Sequence, residues 1–396
     1  MMPAKHTRSM GGFGRFLAIA GLAVAGCGPA AHQAAGAGPA NTARMTARAG
    51  AGEPAAREAV AATPRALAAI SPVTATPQPR RYGNPDGHRY VPAAGRAVST
   101  AHPDHVIGHG TPASCTSAAV VRAVAEGGVI TFSCGPGPVT IMMTATAQIV
   151  HGHRIVIDGG GKVTLSGGGK IRILEMNTCS GCWEQAGPRL IVQNMRFADG
   201  YSGTHQASNA DYGGGAIFAQ GGQLTVVNSA FTGNRCYRYG PDLGGGAIRA
   251  YGMDMSVPVY ITNDTFDGNR CSNGGALSGL YANFVVINSL LTGNKAIGWG
   301  QNPAQPGTPG GGSGGAIYTD GDSYDLILDG TAMRGNSARE GGGGIFCVVD
   351  NDQGFLKIEY SVLSDNPSGQ FQNAPGIFDS LNGQDVQPIV IHSIIS

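Results

Sequence analysis

Two short motifs alternate along the second half of the chain, always in the same order. The first, Gly-Gly-Ala followed by Ile or Leu, begins at Gly214, Gly245, Gly274 and Gly314, and in a looser form at Gly342. The second is an apolar residue followed three positions later by asparagine, and its asparagines are Asn234, Asn269, Asn294, Asn336 and Asn366. Alternating copies at variable spacing indicate one structural unit repeated as a solenoid, with loops of different length inserted.

Each repeat contains two or three short strand patterns and no crossover helix, which excludes doubly wound α/β folds. One repeat has too few strands to bury its own apolar face, so successive repeats must stack. If they stack in parallel, equivalent residues lie about 4.8 Å apart. We therefore expect two inward columns, one made by the motif alanines and the other by the apolar residues Phe231, Phe266, Leu291, Met333 and Leu363. The asparagines should form a third column on the turn side, as a hydrogen-bonded ladder.

Ahead of the repeats, residues 116–128 predict an amphipathic helix with a Thr or Ser N-cap and a glycine stop, followed by a strand at 129–133. A helix laid across the first repeat would cover the open edge of the stack. The predicted fold class is therefore all-β: a single-stranded, right-handed parallel β-helix with a short N-terminal capping helix.

The alternating motifs resemble those of the chlamydial polymorphic membrane proteins, over roughly Asp211 to Asn366. More broadly, the domain looks like the pectin-lyase-like superfamily of right-handed β-helices. The resemblance to the polymorphic membrane proteins implies a surface protein of adhesin type, while the resemblance to the pectin-lyase-like superfamily implies carbohydrate-active chemistry. Those relatives carry a C-terminal autotransporter barrel, which does not follow Asn366 here, so we expect a different anchor.

The N-terminal residues predict that anchor. A basic start is followed by an apolar run from Phe16 that is too short to span a bilayer, and the run ends at Val24-Ala25-Gly26-Cys27. This resembles the bacterial lipobox, whose family acylates the cysteine, so Cys27 is the predicted lipidation site. An ordinary secretory peptide is the alternative. Because Gly28 follows instead of Asp, the family rule favours the outer membrane or cell surface over retention in the inner membrane.

The chain thus divides into three predicted parts: a lipoprotein signal peptide at 1–27, a tether at 28–100 and a β-helix domain at 101–396. The tether is rich in Ala, Gly, Pro and Arg and has too few large apolar residues to offset its ordering entropy, so we expect disorder. The net charge of the whole chain is +1, which argues against nucleic acid as a partner.

Seven cysteines remain after Cys27, in an exported context where disulfides form. Cys115 and Cys134 flank one helix-to-strand unit, and Cys179 and Cys182 form a C-x-x-C pair without the second pair that zinc would need. Cys236 and Cys271 follow equivalent asparagines, so they should be stacked neighbours, either bonded or reduced. Cys347 is left over and is predicted to be a buried thiol.

Basic residues follow three of the motif asparagines: Arg235, Arg270 and Lys295. They should form a cationic stripe, and Asp211 and Asp242 stand in register before two Gly-Gly-Ala motifs. A polyuronate lyase needs such a pairing, because the proton next to a carboxylate becomes acidic only once that charge is offset. A solvated face of opposite charges is the other interpretation.

A second group of carboxylates follows two neighbouring Gly-Gly motifs: Asp320, Asp322, Asp325, Asp350 and Asp352. Asp322 and Asp350 share the same offset and should stack, and carboxylates that close repel each other unless a cation intervenes. Calcium is therefore the candidate cofactor, with oxygen ligands from both loops. Loops simply extending into water are the alternative.

Two functional classes follow from these observations. One is a non-catalytic, adhesin-like or polysaccharide-binding surface protein, whose partners are a polysaccharide or another cell-surface ligand and a membrane reached through the lipid only. The other is a polysaccharide lyase of the pectate-lyase type, which rests on fold-level analogy and the charged stripes. The sequence leaves open whether the chain is an enzyme.

Overall fold

The computed structural model describes residues 82–150, 154–177, 184–203, 213–300, 310–351 and 353–396. These ranges belong to the second of the two compact units into which the chain divides, Ala75–Ser396. The predicted signal peptide, Cys27 and most of the predicted tether lie outside the described residues, as do Cys179, Cys182, Asp211 and Asp352.

Strands dominate the described residues and form four sheets, which we name A to D. Sheet A has ten strands, all parallel: His105–Ile107, Gly128–Phe132, Arg154–Asp158, Arg189–Gln193, Gln223–Val227, Val259–Thr262, Phe284–Ile287, Ser323–Asp329, Gln353–Glu359 and Ile389–Ile391. Sheet B has nine parallel strands: Val139–Met142, Val163–Ser166, Arg196–Ala198, Ala230–Thr232, Thr265–Asp267, Leu290–Thr292, Ala332–Arg334, Val362–Ser364 and Ile394–Ile395.

Sheet C also has nine strands: Ala147–Ile149, Leu174–Asn177, Ile217–Gln220, Ile248–Tyr251, Leu277–Leu280, Ile317–Asp320, Ile345–Val349, Ile377–Leu381 and Gln384–Asp385, of which the last pairs antiparallel with its neighbour. The short sheet D consists of Arg270–Cys271, Lys295–Ala296 and Ser337–Ala338. The helical segments are the α-helix Ser117–Glu126 and the 3₁₀ turns Ala93–Gly95 and Pro112–Ser114.

From Ile217 onward the chain passes through sheets C, A and B in that order and then begins again, and we call each passage a rung. Neighbouring strands in each long sheet come from successive rungs, so the sheets grow in sequence order. This is a solenoid-like, all-β structure built of long parallel sheets, compatible with a parallel β-helix. Its inward residues form one apolar core that extends through the stack.

The predicted columns are present. Ala216, Ala247, Ala276 and Ala316 are each fully buried. Phe231, Phe266, Leu291, Met333 and Leu363 pair one above another in sheet B, and Phe231 stacks on Phe266 at 4.8 Å between ring centroids. The repeated motifs are therefore core positions, as the sequence predicts.

The asparagine ladder is also confirmed. Each side-chain amide donates to the Oδ1 of the next asparagine at 2.8–3.0 Å, from Asn234 through to Asn366. The same Oδ1 accepts the backbone N–H of the preceding asparagine, and each amide also donates to a backbone carbonyl of the preceding rung. The ladder therefore satisfies polar groups at a buried turn that water does not reach.

The turn between sheets A and B carries a second ladder, which the sequence analysis did not identify. Its members are Ser229, Asp264, Ser289, Thr331, Ser361 and Ser393, and each backbone N–H donates to the side-chain oxygen of the next member. Asp264 is the acidic exception, fully buried, and burial raises the pKa of its carboxyl well above the ordinary value.

The predicted capping helix is confirmed at Ser117–Glu126. The Thr116 hydroxyl accepts the N–H of Ala119 as the N-cap, and Gly127 ends the helix with a φ of +81°. Val120 and Val124 are fully buried in the core, so the helix covers the first strands of the stack. The predicted disulfide Cys115–Cys134 joins the entry to this helix with the end of the strand that follows it.

Residues 82–100, which the sequence assigns to the tether, lie along sheet A in the structure. We call this segment the strap. It meets widely separated rungs: the Asn84 N–H donates to the Asn288 carbonyl, the Val98 N–H to the Gln193 side chain, and the Thr100 hydroxyl to Asp158. Most of these contacts are hydrogen bonds, so the low content of large apolar residues does not indicate that the segment is ordered.

Candidate functional site

The predicted cationic stripe is a row of neighbours in register. Arg235 is bridged to Arg270, and Arg270 pairs with Lys295 in sheet D. Parallel strands place such neighbours about 4.8 Å apart. Arg270 and Lys295 are exposed and Arg235 is half-buried, so the row presents its charge to solvent.

Arg235 is held in one orientation. Its guanidinium donates to the Gly169 carbonyl at 2.9 Å and lies 5.1 Å from the ring centre of Tyr201. Gly169 has a φ of +70°, and a Cβ there would lie 2.8 Å from the same guanidinium, so a side chain at this position would displace Arg235. Two contacts thus orient the first cation of the row.

An open cleft of about 490 Å³ borders the row. Its lining comes from three or more successive rungs, so it extends along the stacking direction. The lining residues are Met142, Ser166, Gly168, Gly169, Asp199, Gly233, Arg235, Gly268 and Arg270. The glycines leave its floor without side chains, which makes room for an extended ligand.

The structure adds two carboxylates that the sequence analysis missed. Asp199 lines the cleft, and Asp267 is exposed directly before the cleft residue Gly268. Phe197-Ala198-Asp199-Gly200 is a copy of the second motif, with Phe197 paired to Phe231, but Gly200 replaces its asparagine. Aligning on the phenylalanine instead of the asparagine would have found Asp199.

Asp242 does not join the cationic row. It lies in the loop before Gly244, near Arg249, and partial burial raises the pKa of its carboxyl in spite of that cation. Arg249 points outward from sheet C but is only 1% exposed, and its guanidinium donates to the Ser278 hydroxyl at 2.6 Å. Burial lowers the pKa of Arg249. Asp211, the predicted partner of Asp242, lies outside the described residues.

The second carboxylate group is spread along the corner between sheets C and A. Asp320 accepts a hydrogen bond from the Tyr318 hydroxyl at 2.7 Å and one from the Gly321 N–H at 2.8 Å. Burial nevertheless raises the pKa of the Asp320 carboxyl to about 6, with smaller contributions from Asp242 and Asp350. Asp325 lies on the strand Ser323–Asp329, and burial raises its pKa as well.

Asp322 and Asp350 lie on adjacent rungs, as predicted, since the Asp350 N–H donates to the Gly321 carbonyl. Both residues are exposed. Among the residues that the structure describes, no group of three or more His, Cys, Asp or Glu side chains is placed to hold a metal ion. Asp352, the fifth predicted ligand, lies outside them, and calcium binding stays a prediction.

Cys236 and Cys271 form a disulfide directly beneath the row, with Cα atoms 4.7 Å apart. Both are buried with Leu243 in a small apolar cluster separate from the main core. The disulfide therefore joins the rungs that carry Arg235 and Arg270.

Cys347 is a buried free thiol, as predicted. Beside it in the core, the Tyr324 hydroxyl donates to the Asp379 carboxylate. Burial raises the pKa of Asp379 to about 6 and that of the Cys347 thiol well above its usual value. This polar cluster faces the interior and forms no part of the cleft.

Within the described ranges, none of the helices has the length and apolar character needed to cross a bilayer. Comparison with known proteins found no matching family model, no similar curated protein and no similar solved structure.

Proposed function

We propose that this chain is a non-catalytic, adhesin-like protein that binds an acidic polysaccharide in the cleft. The observation that carries the proposal is the row Arg235, Arg270 and Lys295, stacked in register, of which Arg235 and Arg270 line an open groove. A linear polymer of uronates presents carboxylates at regular intervals, and a row of cations at regular intervals is complementary to it. Charge-assisted hydrogen bonds from arginine to carboxylate are stronger than neutral ones.

Two features favour binding at this cleft. The anchoring of Arg235 by Gly169 and Tyr201 fixes one cation before the ligand arrives, which reduces the entropy lost on binding. The disulfide beneath Arg235 and Arg270 restrains the two rungs relative to each other.

Calorimetric titration of the purified protein with oligogalacturonate tests the proposal. Arg270→Ala and Lys295→Ala should each weaken binding about tenfold at low salt, and the difference should shrink as salt screens the charges. Arg122→Ala, which removes an exposed arginine from the capping helix, is the matched control and should bind like the parent protein. Equal affinity of all four proteins, or no binding across a panel of uronate polymers, would refute the proposal.

A polysaccharide lyase is the second candidate, because Asp199 lies in the same cleft as Arg235 and Arg270. β-Elimination from a uronate requires a group that neutralises the substrate carboxylate, such as a metal ion held by protein carboxylates, and a basic side chain that accepts the proton. Carboxylates and basic side chains in one cleft could supply these two roles. Such a reaction creates a carbon–carbon double bond in the product that absorbs ultraviolet light. A rising absorbance that Arg270→Ala abolishes would favour the lyase, whereas binding with a flat trace favours the adhesin.

We further propose that the parallel sheets close into a right-handed β-helix of the pectin-lyase-like type, with rungs like those of polymorphic membrane proteins. The chain is proposed to be exported and anchored through a lipid on Cys27, at the outer membrane or cell surface. The lipobox-like segment supports the anchor, and the repeated motifs support the fold. Incorporation of labelled fatty acid into the full chain, lost in Cys27→Ser, tests the anchor.

A further inference from the structure

Trp299 is an exposed indole on a firmly held backbone. The residue is 41% exposed, whereas most large apolar residues of the described chain are buried. The backbone on both sides is bonded: the Gly298 N–H donates to the Ser272 carbonyl at 3.1 Å, and the Gly300 N–H donates to the Glu340 carboxylate. A fixed backbone with an exposed indole favours a binding role over an incidental surface position.

The loop carrying Trp299 is tied to the loop that follows Arg235. The Gly310 carbonyl accepts from both the Trp299 and the Gly240 N–H groups, each at 3.3 Å. At Gly298 a Cβ would lie 2.4 Å from the hydroxyl of Ser272, which follows Arg270 and Cys271, so the chain also packs against that segment too closely for a side chain at Gly298. The backbone of Trp299 is therefore positioned by the same rungs that carry the cationic row.

Trp299 also lies close to the row along the chain. It follows Lys295 by four residues, a reach of at most about 14 Å even if the backbone is fully extended. Tyr239 occupies the equivalent place after Arg235, and the Arg238 guanidinium packs 4.5 Å from its ring centre, which adds a cation on this side. A single polymer a few sugars long can meet Lys295 and the indole together.

We infer that Trp299 is a specificity-determining residue that stacks on the apolar face of a sugar ring, in a polymer whose carboxylates pair with Arg270 and Lys295. This inference rests on the proposed function and names its ligand class more closely: a uronate polymer with pyranose faces free to stack. A neutral glucan could stack on the indole but has no carboxylates to pair with Arg270 and Lys295. A polyanion that is not a sugar could pair with these cations but has no sugar ring to stack on the indole. Both should bind more weakly than a uronate oligomer.

The chain has two tryptophans, Trp183 and Trp299, which makes a direct test possible. In Trp183→Phe, Trp299 is the only indole, and its fluorescence reports on its own surroundings. Titration of this full-length variant with oligogalacturonate should change the fluorescence saturably, with the same midpoint as calorimetry. Trp299→Ala should bind about tenfold more weakly at every salt concentration, whereas Trp299→Phe should keep most of the affinity. Tyr90→Ala, which removes an exposed ring from the strap, is the control and should bind normally.

The outcomes separate this inference from the proposed function. Calorimetric binding that depends on Arg270, without a fluorescence change and with full affinity in Trp299→Ala, would overturn the role of Trp299 and leave the cleft intact. Absence of binding to the parent protein would overturn both.

Discussion

Asn294 lies in the middle of the asparagine ladder, and its side chain takes part in four hydrogen bonds. Its Oδ1 accepts from the backbone and the side chain of Asn269, and its Nδ2 donates to the Phe266 carbonyl and to Asn336. Asn294→Ala leaves two N–H groups of Asn269 without these acceptors, in a turn that is fully buried. A buried polar group without its partner costs about 1–3 kcal/mol, so two such groups should lower the free energy of unfolding by about 2–6 kcal/mol.

Urea denaturation followed by circular dichroism measures this loss. Thr292→Ala changes an outward, half-buried residue of the same rung and should cost no more than about 0.5 kcal/mol. Asn366→Ala should lie between the two, because Asn366 is the last described member of the ladder and is 6% exposed. Equal midpoints for Asn294→Ala and Thr292→Ala would refute the view that the ladder stabilises the stack.

Asn294→Asp isolates the donor half of the same interaction. The new carboxylate keeps both acceptor bonds to Asn269 but turns its second oxygen toward the Phe266 carbonyl and Asn336 Oδ1, which are both acceptors. When protonated, it can donate one bond again. The variant should therefore be closer to the parent protein at pH 4 than at pH 8, and an absence of pH dependence would contradict this geometry.

Three more predictions follow from buried or bridging groups. Asp264→Ser removes a carboxyl whose pKa is raised by burial, and with it the oxygen that accepts the Thr262 N–H. The stability of the variant relative to the parent protein should therefore be more favourable at pH 8 than at pH 4, and an equal difference at both pH values would contradict this. Burial raises the pKa of Asp379 from 3.8 to about 6, so the contribution of this carboxyl to stability should be greatest below pH 4 and fall by about 3 kcal/mol as pH rises from 4 through 6. Asp379→Asn should remove this part of the pH dependence, and an unchanged pH profile would count against it. Arg89→Ala removes a 2.7 Å ion pair with Asp329 and a cation–π contact at 3.7 Å from the ring centre of Tyr360, so it should lower the free energy of unfolding by about 1 kcal/mol and speed proteolysis of the strap. Arg96→Ala is the control and should change neither quantity.

Much of the core could be predicted from sequence because it repeats. Phe231 and Asn234 recur at equivalent positions of later rungs, so one alignment predicts both the apolar column and the ladder. The turn after sheet A was harder to predict, because Ser229, Asp264 and Thr331 share only a hydrogen-bonding oxygen and not a residue type. The strap was missed for a related reason: its contacts are made mainly by backbone groups, and its composition resembles that of a flexible linker.

The candidate site was predicted only in part. Arg235, Arg270 and Lys295 follow ladder positions directly, so their register is that of the ladder. Asp199 and Trp299 were not predicted to belong with them, because one follows a motif copy without its asparagine and the other stands in a loop of variable length.

The sequence by itself therefore determined which residues point inward and which stack on one another, since a repeat with a constant order of motifs permits one parallel register. Only the tertiary structure decided which outward groups meet. Loops between rungs differ in length, so packing decided that the carboxylate of Asp199 lies in one cleft with Arg235 and Arg270. The row beside the cleft comes from the repeat, and its carboxylate neighbour comes from the fold.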